Sequence, residues 1–511
     1  MNVVFVNPTD NIWGQGVNIL ASILRKNKHK VKIVYIPSIK NNIVKFDPED
    51  WLREFQDTGA YLVSFMSNSL PCAIEFTNFV KRIQPGTPIV WGGIHPTVMP
   101  EDSLSYVDHV GMGECEEALP EFLDRLEKGL DVSCIRNFWI RNREGKICKN
   151  PLRPPIVNLD DLPPNEYTCD DRYLIHMGKL LALTPELLSH YFADYPIGKT
   201  TLYTMTSRGC PFYCSYCINA KLNNLYGSNK LRRRDLEKVI DEEVKPAVEK
   251  FPFFRDMALI VDDDFFIHGP QELKNFGRIW KRELSIPFSC LATPASITDE
   301  KTAILVDAGL KILEIGIQTA SERINREVYN RHCSNNMIID KMKLLDRYVK
   351  KNGLSVICDF IIDNPYETDI DIKKSIDLYL RFPFKSEINF FSLTPYPGTP
   401  IRDRLKMDGF IGNNYEEFTR EFSLSVNRGH RYLTLLFLMK GKFARWIPDT
   451  IVRLLMWGPF VFIGNLTNVL ILTPFFRTSL FKRAGKNMAA KGALLYGHLF
   501  KDIAKGGRSS G

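Results

Sequence analysis

The chain has 511 residues, which is more than one hydrophobic core usually supports, so we expect two or three domains. Hydrophobic residues make up 44% of the chain and charged residues 25%, which excludes wholesale disorder and a small disulfide-stapled module. The net charge of +8 is uneven, since residues 425–511 hold 14 basic and two acidic residues and the rest carries a net charge of −4. This distribution does not indicate a nucleic-acid groove across the whole chain.

The cysteines and the N-terminus indicate a reducing compartment. Met1 to Val6 has the pattern of a first β-strand and lacks the features of a secretory signal peptide, so we expect a cytoplasmic protein. In that compartment clustered cysteines are ligands or reactive thiols rather than disulfides. The chain has eleven cysteines, and the tight cluster is Cys210, Cys214 and Cys217.

The first 145 residues alternate short apolar runs with helical patterns. Strands are predicted at 3–6, 31–35, 61–65, 89–91 and 109–111, with helices at 17–25, 73–83 and 118–126. This alternation predicts a doubly wound, Rossmann-like parallel sheet, which binds ligands beyond the carboxyl ends of its strands. Small or polar residues at those ends favour close approach of a large flat ligand, although glycines there also serve simply to form turns. The candidate ligand contacts are Gly14, Gly16, Ser64, Ser67, Gly92, Gly93, His95 and Gly113.

A proline-rich stretch divides this region from a second alternating series. Five prolines between residues 150 and 167 mark the boundary, and residues 168–199 have the pattern of a helical or irregular insertion. Six strands are then predicted, and such units form a partial barrel with its chemistry at the carboxyl strand ends. The predicted domains are 1–149, a linker and insertion at 150–200, a partial (βα)6 barrel at 201–405, and a helical C-terminal region at 406–511. The six barrel strands are predicted at 201–206, 257–261, 288–292, 311–317, 354–361 and 387–393.

The strongest chemical signal follows the first predicted barrel strand, in the segment Thr206-Ser-Arg-Gly-Cys210-Pro-Phe-Tyr-Cys214-Ser-Tyr-Cys217. Three thiolates within eight residues can hold one face of an iron–sulfur cubane and leave the fourth iron open for chemistry. The alternative is a structural zinc site, which requires a fourth Cys or His at ordinary spacing, and none follows.

This C-x-x-x-C-x-aromatic-C segment resembles the signature of the radical S-adenosylmethionine (SAM) superfamily. The segments Val261 to Phe265, Gly309 to Ser321, Ile361 to Thr368 and Leu393 to Pro400 are similar to the family's later barrel motifs, so the resemblance covers residues 201 to about 405. One departure is Asn364, where the family usually has Gly; Asn also tolerates positive φ.

Together with the first domain, residues 1 to about 405 resemble the cobalamin-binding, class B subclass of that superfamily. The D-x-H-x-x-G motif that supplies a cobalt-ligating histidine in other cobalamin folds is missing here, because Ile12 stands at the histidine position after Asp10. The resemblance therefore implies cobalamin without a lower axial imidazole from this loop, the alternative being an inherited domain that binds nothing.

The resemblance also implies roles for individual residues. Cys210, Cys214 and Cys217 would hold a [4Fe-4S] cluster, whose open iron would bind SAM for reductive cleavage to a 5'-deoxyadenosyl radical. Tyr216, Gln318 and Ser321 would contact SAM, the alternatives being packing and helix capping. Of the three adjacent acids Asp262, Asp263 and Asp264, at least one would face SAM, and the alternation of a strand puts Asp262 and Asp264 on one side. His95 and His268 would donate protons or contact cobalamin, although loop histidines are more often simply solvated.

Three functions follow from this resemblance. The first is methylation of an unactivated carbon of a small molecule, with an electron donor such as flavodoxin or ferredoxin. The second is a cyclase or rearrangement enzyme that uses the same cofactors. The third is a non-catalytic cobalamin or SAM sensor, which the intact three-cysteine loop disfavours.

The C-terminal region lies outside the resemblance. Residues 454–472 form an uncharged run of nineteen residues flanked by basic residues, long enough to cross a bilayer but interrupted by Gly458, Pro459 and Gly464. The alternatives are an in-plane anchor at the cytoplasmic face of a membrane, a true span, and a soluble cap over the substrate mouth. A basic, apolar tail also favours an apolar or lipid-like substrate.

Overall fold

The computed structural model describes residues 1–467 except 10, 11, 13, 38–44, 143, 177, 195–198, 413–431 and 443–446. A nine-stranded sheet with the order β7-β6-β5-β4-β3-β1-β2-β8-β9 forms the first domain. Its centre is parallel, and β6, β7 and β9 add antiparallel edges. The strands are β1 Asn2–Thr9, β2 Lys30–Pro37, β3 Ala60–Ser64, β4 Ile89–Gly92, β5 His109–Gly111, β6 Phe138–Arg141, β7 Ile147–Lys149, β8 Arg172–His176 and β9 Lys179–Ala182.

Helices cover both faces of this sheet, which explains why β1 is apolar at almost every position. Val3 and Phe5 pack into one core and Val4 and Val6 into another, because successive side chains point to opposite faces of a strand. The doubly wound sheet predicted from the alternating pattern is thereby confirmed. The helices are α1 Gln15–Lys26, α2 Pro48–Phe55, α3 Leu70–Ile83, α4 Ile94–Val98, α5 Pro100–Ser103, α6 Ala118–Glu127 and α7 Pro185–Tyr191.

The prediction of a helical or irregular insertion at 168–199 is wrong for the strands β8 and β9, while α7 lies within the same segment. β8 pairs in parallel with β2, and β9 pairs antiparallel with β8, so this segment extends the sheet of the first domain. The parallel partner of β8 lies far along the chain and leaves no local turn signal, which is why the sequence did not reveal that strand.

The second domain is a seven-stranded sheet with the order β10-β11-β14-β15-β16-β17-β18, parallel from β11 to β18. The predicted partial barrel of six parallel strands is confirmed. Its strands are β10 Ala193–Asp194, β11 Lys199–Thr204, β14 Met257–Ile260, β15 Phe288–Ala292, β16 Leu310–Gln318, β17 Ser355–Ile362 and β18 Glu387–Ser392, and β12 Ser207–Arg208 pairs separately with β13 Arg232–Arg233. Its helices are α8 Ile218–Tyr226, α9 Leu236–Val239, α10 Lys245–Lys250, α11 Pro270–Glu283, α12 Asp299–Ala308, α13 Asn335–Asn352, α14 Asp369–Tyr379 and α15 Pro400–Met407.

Beyond residue 431 the described chain forms the helices Tyr432–Lys442, Asp449–Leu455 and Gly458–Thr467. The first of these packs against the outer face of the barrel, where the Phe437 ring lies 5.0 Å from that of Phe360 and 4.9 Å from that of Phe390. Part of the C-terminal region is therefore integral to the barrel rather than a separate appendage.

A charged cluster joins the two domains where the first-domain strand β5 ends. Arg232 donates to both oxygens of Glu114, at 2.9 and 2.7 Å, and Arg208 Nη1 lies 2.7 Å from Glu116 Oε1. The side chains of Arg232 and Glu114 are only 15% and 16% exposed. Burial favours the neutral form of Glu114, but the two arginines outweigh it and hold the pKa of this carboxyl below its usual range. Glu114 is thus an ionised tie between the domains.

We expect Glu114→Gln to lower the free energy of unfolding by about 2 kcal/mol at neutral pH, because it weakens the charge-assisted hydrogen bonds from Arg232 and removes the ion pair with Arg208. Since the pKa of Glu114 is lower in the folded protein, this contribution is present above the ordinary value of 4.5 and is lost as the pH falls through the folded value. Urea unfolding of both proteins across acidic pH measures the difference.

The control is Glu101→Gln, which breaks the Lys149–Glu101 pair whose side chains are 52% and 63% exposed. It should change stability by less than about 0.5 kcal/mol. An equal effect of the two substitutions would show that the cluster does not hold the domains together.

Candidate cluster and cofactor site

The cysteine loop starts just after β11 and ends where α8 begins. Gly209 adopts φ +91°, and a Cβ there would lie 3.0 Å from the backbone oxygen of Lys230, so the turn into Cys210 requires glycine. Cys217 is the residue before the first turn of α8. The segment offers no fourth Cys or His at the spacing of a zinc site, which disfavours structural zinc.

The thiols lie in a partly buried, acidic pocket. Burial raises the pKa of Cys210 to about 12 and that of Cys217 to about 11, and the carboxylate of Asp263 adds to both shifts. Because only thiolates bind metal, cations that occupy this pocket displace the protons. The three sulfurs therefore form a donor set that iron would stabilise.

Tyr216 lies where the loop meets the barrel. Its ring packs edge-on against Tyr329 at 5.0 Å, and its hydroxyl is hydrogen-bonded to Cys214. Burial raises the pKa of the phenol far above its usual value. Next to it, Arg331 donates to the backbone oxygens of Gly316 and Ile317 at the carboxyl end of β16. Arg331 belongs to no recognisable motif in the sequence and reaches the site only through the fold.

The three acids after β14 have separate environments. Asp262 is 1% exposed and accepts hydrogen bonds from the backbone and hydroxyls of Thr206 and Ser207, so it anchors the start of the cysteine loop. Asp264 accepts hydrogen bonds from Thr293 and Ser296. Asp263 is the acid that faces the cysteines, at 2.8 Å from Asn219 Nδ2. The carboxylates predicted to contact SAM, Asp262 and Asp264, are thus engaged in loop support.

The end of β16 holds the other two predicted SAM contacts. Gln318 has φ +71° beside a register shift in the pairing with β17, and it is half-buried. Ser321 is fully buried and donates to Asp371 at 2.5 Å, which Arg323 also contacts at 2.6 Å. Gln318 therefore remains partly accessible at the strand end, whereas Ser321 supports the following turn. The tight turn after β17 has its positive φ at Asp363 rather than at Asn364.

At the carboxyl edge of the first sheet the backbone at Gly93 closely approaches that of Phe65, and we call this close approach the glycine cradle. A Cβ on Gly93, at φ +92°, would lie 2.8 Å from the backbone nitrogen and oxygen of Phe65. Ser64 and Gly92 pair at the neighbouring strand ends. His95 is fully buried, stacks on Phe65 and lies 3.0 Å from the Ser67 hydroxyl. His95 and Ser67 therefore shape the cradle from beneath.

The remaining predicted cobalamin contacts lie at opposite sides of this edge. Gly14 and Gly16 flank the start of α1, where the buried Oδ1 of Asn7 and Oε1 of Gln15 have no hydrogen-bond partner. Unpartnered buried acceptors at a ligand-binding edge fit a polar ligand such as the amide-bearing rim of cobalamin. Gly113 instead faces the other domain, since a Cβ there would overlap the hydroxyl of Tyr226, which accepts the backbone N–H of Glu114 at 2.7 Å.

Comparison with known proteins agrees with both halves of this site. Residues 204–379 match the radical SAM superfamily and residues 1–123 match the B12 binding domain. An uncharacterized methyltransferase from Pyrococcus horikoshii is 27% identical over 393 residues, which are 76% of this chain and 77% of that protein. The anaerobic magnesium-protoporphyrin IX monomethyl ester cyclase of Rubrivivax gelatinosus is 25% identical over 442 residues, covering 82% of this chain and 73% of the cyclase.

A solved structure has the same fold. The radical SAM methyltransferase TsrM from Kitasatospora setae superposes with a TM-score of 0.63 at 16% sequence identity, over 80% of this chain and 76% of TsrM. The three-cysteine loop, the glycine cradle and both domain matches lead to one conclusion. The chain belongs to the cobalamin-binding radical SAM enzymes, whose cofactors are a [4Fe-4S] cluster, S-adenosylmethionine and cobalamin.

Proposed function

We propose that this protein is a methyltransferase that acts on an unactivated carbon of a small molecule. When bound, the cluster and SAM supply a 5'-deoxyadenosyl radical and cobalamin supplies the methyl group. The chain itself holds these groups, orients them and keeps water away from them. The main support is that the cysteine loop and the first-domain strand ends belong to one contiguous structure.

That contiguity rests on contacts on two sides. On one side Arg208, two residues before Cys210, reaches Glu116 beyond the end of β5. On the other side, Gly398 follows the last barrel strand, and a Cβ there would lie 3.0 Å from Val98 Cβ in the first domain. A substrate held between the two strand edges would meet both cofactors, as methyl transfer requires.

At the SAM end we propose that Tyr216 and Gln318 contact the nucleoside. Arg331 fixes the backbone that carries Gln318, because its guanidinium holds the oxygens of Gly316 and Ile317. Asp263 would accept from the amino group of SAM, since it is the carboxylate nearest the cysteines. An electron donor such as flavodoxin or ferredoxin would reduce the cluster.

A second candidate is a cyclase or rearrangement enzyme with the same cofactors. The observation that favours it is the relative from Rubrivivax gelatinosus, a cyclase that is similar over 82% of this chain. Products separate the two reactions, because methyl transfer from SAM leaves S-adenosylhomocysteine and cyclisation does not.

We expect Cys210→Ala, Cys214→Ala and Cys217→Ala each to lose the [4Fe-4S] absorption and the reductive formation of 5'-deoxyadenosine, because each removes one of three iron ligands. Iron content, visible absorption and labelled SAM after anaerobic reconstitution provide the measurements. Cys134→Ala is the control, since Cys134 is an exposed thiol remote from the loop. A full cluster in any of the three variants would exclude that cysteine as a ligand.

We expect Gly93→Ala to reduce retained cobalamin by about tenfold or more, because the added methyl group collides with the backbone of Phe65. Gly86→Ala is the matched control, since Gly86 has φ +90° with open space around it and tests backbone strain alone, about 1–2 kcal/mol. Cobalamin absorbance after gel filtration measures retention. Equal retention by both variants would place the cofactor away from Gly93.

We further propose that the C-terminal region contacts an anionic membrane surface and that the substrate is apolar. The described helices include none with the length and apolar character of a membrane span. Six apolar side chains between residues 451 and 463 are nevertheless 39–67% exposed: Ile451, Leu454, Trp457, Phe460, Phe462 and Ile463. Residues 468–511, which lie outside the described residues, carry a net charge of +7. An apolar face followed by basic chain is the composition of an interfacial anchor.

Deletion of the whole region would also remove Leu433 and Phe437 from the core, so substitutions are the cleaner test. We expect the combined change Leu454→Ser, Trp457→Ser and Ile463→Ser to weaken binding to phosphatidylglycerol vesicles by about tenfold or more, because it removes apolar area that would insert into lipid. Co-sedimentation measures binding. The control variant carries serine at the exposed residues Leu130, Ile147 and Val157. Equal vesicle binding by the two variants would contradict the proposal of a membrane anchor.

A further inference from the structure

The lumen of the barrel contains a pair of acids that no step above uses. Asp359 lies on β17 and Glu314 on β16, and their carboxyl groups are within hydrogen-bonding reach of one another. Asn389 on β18 donates from Nδ2 to Glu314 Oε1 at 3.2 Å. In the register of the sheet Asp359 stands opposite Gly316 on one side and Asn389 on the other. Glu314 pairs with Ile357, two residues before Asp359, so three adjacent strands contribute polar groups to neighbouring positions in the lumen.

The packing on each side of these strands shows that the three groups point inward. Val356, Cys358 and Phe360 pack in the core under the helices, so Asp359 points to the opposite face. Ile361, on that same inner face, packs in the cluster that includes Tyr216 and Tyr329. Leu313 and Ile315 are fully buried in the outer core, which likewise places Glu314 in the lumen. The acid pair therefore lies two residues along β17 beneath the level of Tyr216.

Among the described residues, no Lys or Arg forms a salt bridge with Glu314 or Asp359. Arg331 is the cation that acts on Asp359, but its guanidinium is engaged by the backbone oxygens of Gly316 and Ile317. Asp359 is 8% exposed, and its Oδ1 has no hydrogen-bond partner. Burial and the neighbouring Glu314 raise the pKa of Asp359 to about 9. A buried acceptor without a donor, next to a carboxylate, is a costly arrangement unless a ligand completes it.

Several side chains around the pair remain partly accessible to solvent. Glu314 and Asn389 are half-buried rather than buried, and Phe391, next on the inner face of β18, is 50% exposed. Leu259 and Leu291 on β14 and β15 are also only partly buried. A ligand in the lumen would therefore meet acids at one wall and apolar side chains around them.

We propose that Glu314 and Asp359, aided by Asn389, bind a protonated amine or guanidine of the substrate in the barrel lumen. This inference rests on the proposed function, for which it names the substrate class: a molecule with a cationic nitrogen and an apolar body. Charge-assisted hydrogen bonds from such a group satisfy the free oxygen of Asp359, and its positive charge compensates the negative charge of the two acids. The apolar body then extends past Phe391 towards the strand ends.

The test measures binding by NMR titration of the protein loaded with cluster and cobalamin, using n-butylguanidine and its neutral isostere n-butylurea, and n-butylamine and n-butanol. We expect at least one cation to bind about tenfold or more tightly than its neutral partner. Asp359→Asn and Glu314→Gln should abolish that preference while leaving the cluster and cobalamin absorption intact. Glu387→Gln is the matched control, since Glu387 is an exposed acid on the same strand as Asn389 and should leave the preference unchanged.

Two results would overturn the proposal. One is equal binding of cations and neutral partners, or a preference that survives both substitutions. The other is a loss of SAM affinity of about tenfold in Asp359→Asn, which would assign the acids to SAM instead of the substrate. Neither result bears on the cysteine variants or on formation of S-adenosylhomocysteine, so failure here is distinguishable from failure of the proposed function.

Discussion

The ionic contact between Glu114 and the two arginines determines the geometry on which the rest of the site depends. Each parallel sheet presents its ligand-binding edge at the carboxyl ends of its strands, and neither edge alone can bring two large cofactors to one substrate. Arg208 belongs to the cysteine loop and Arg232 to the strand that pairs with it, so Glu114, together with Glu116 and Asp262, positions the loop that carries the iron ligands. Because the contact is partly buried, removal of either the carboxylate or an arginine would leave an uncompensated charge and destabilise the protein.

Some polar side chains of the site have all their hydrogen bonds made within the protein, and others remain available to a ligand. Asp262 accepts four hydrogen bonds at the start of the cysteine loop, and Asp264 is likewise engaged by two hydroxyls, so both acids act through the backbone they hold. Asp263, Gln318 and the lumen acids are only partly engaged. Buried side chains thus hold the backbone rigid, and a few polar groups above it remain free to bind. Such an arrangement is expected where a protein must orient bound cofactors.

The sequence allowed both domains, all six barrel strands and the cysteine loop to be predicted, because these depend on local periodicity and short spacing. It did not allow β8 and β9 to be predicted, since β8 pairs with β2, more than 130 residues away, and β9 pairs only with β8. The sequence also could not show which of the three adjacent acids faces the cysteines. Strand alternation separates Asp263 from its two neighbours, but only tertiary contacts show on which side the cysteines lie. Glu314 and Asp359 meet through sheet register, and Arg331 reaches them from the connection after β16, so spacing along the chain does not reveal the contact.

Helix α8 connects the cysteine loop to the first domain. It starts directly after Cys217 and ends at Tyr226, whose hydroxyl accepts the backbone N–H of Glu114 in the other domain. Its nine residues make a rod about 13 Å long. Because a helix changes length only in steps of about 1.5 Å per residue and rotates with each step, an insertion or deletion here would both displace and turn its two ends. Among related proteins we therefore expect the length of this helix to vary far less than its surface residues. The helix acts as a spacer that sets the distance between the cysteine loop and the first domain.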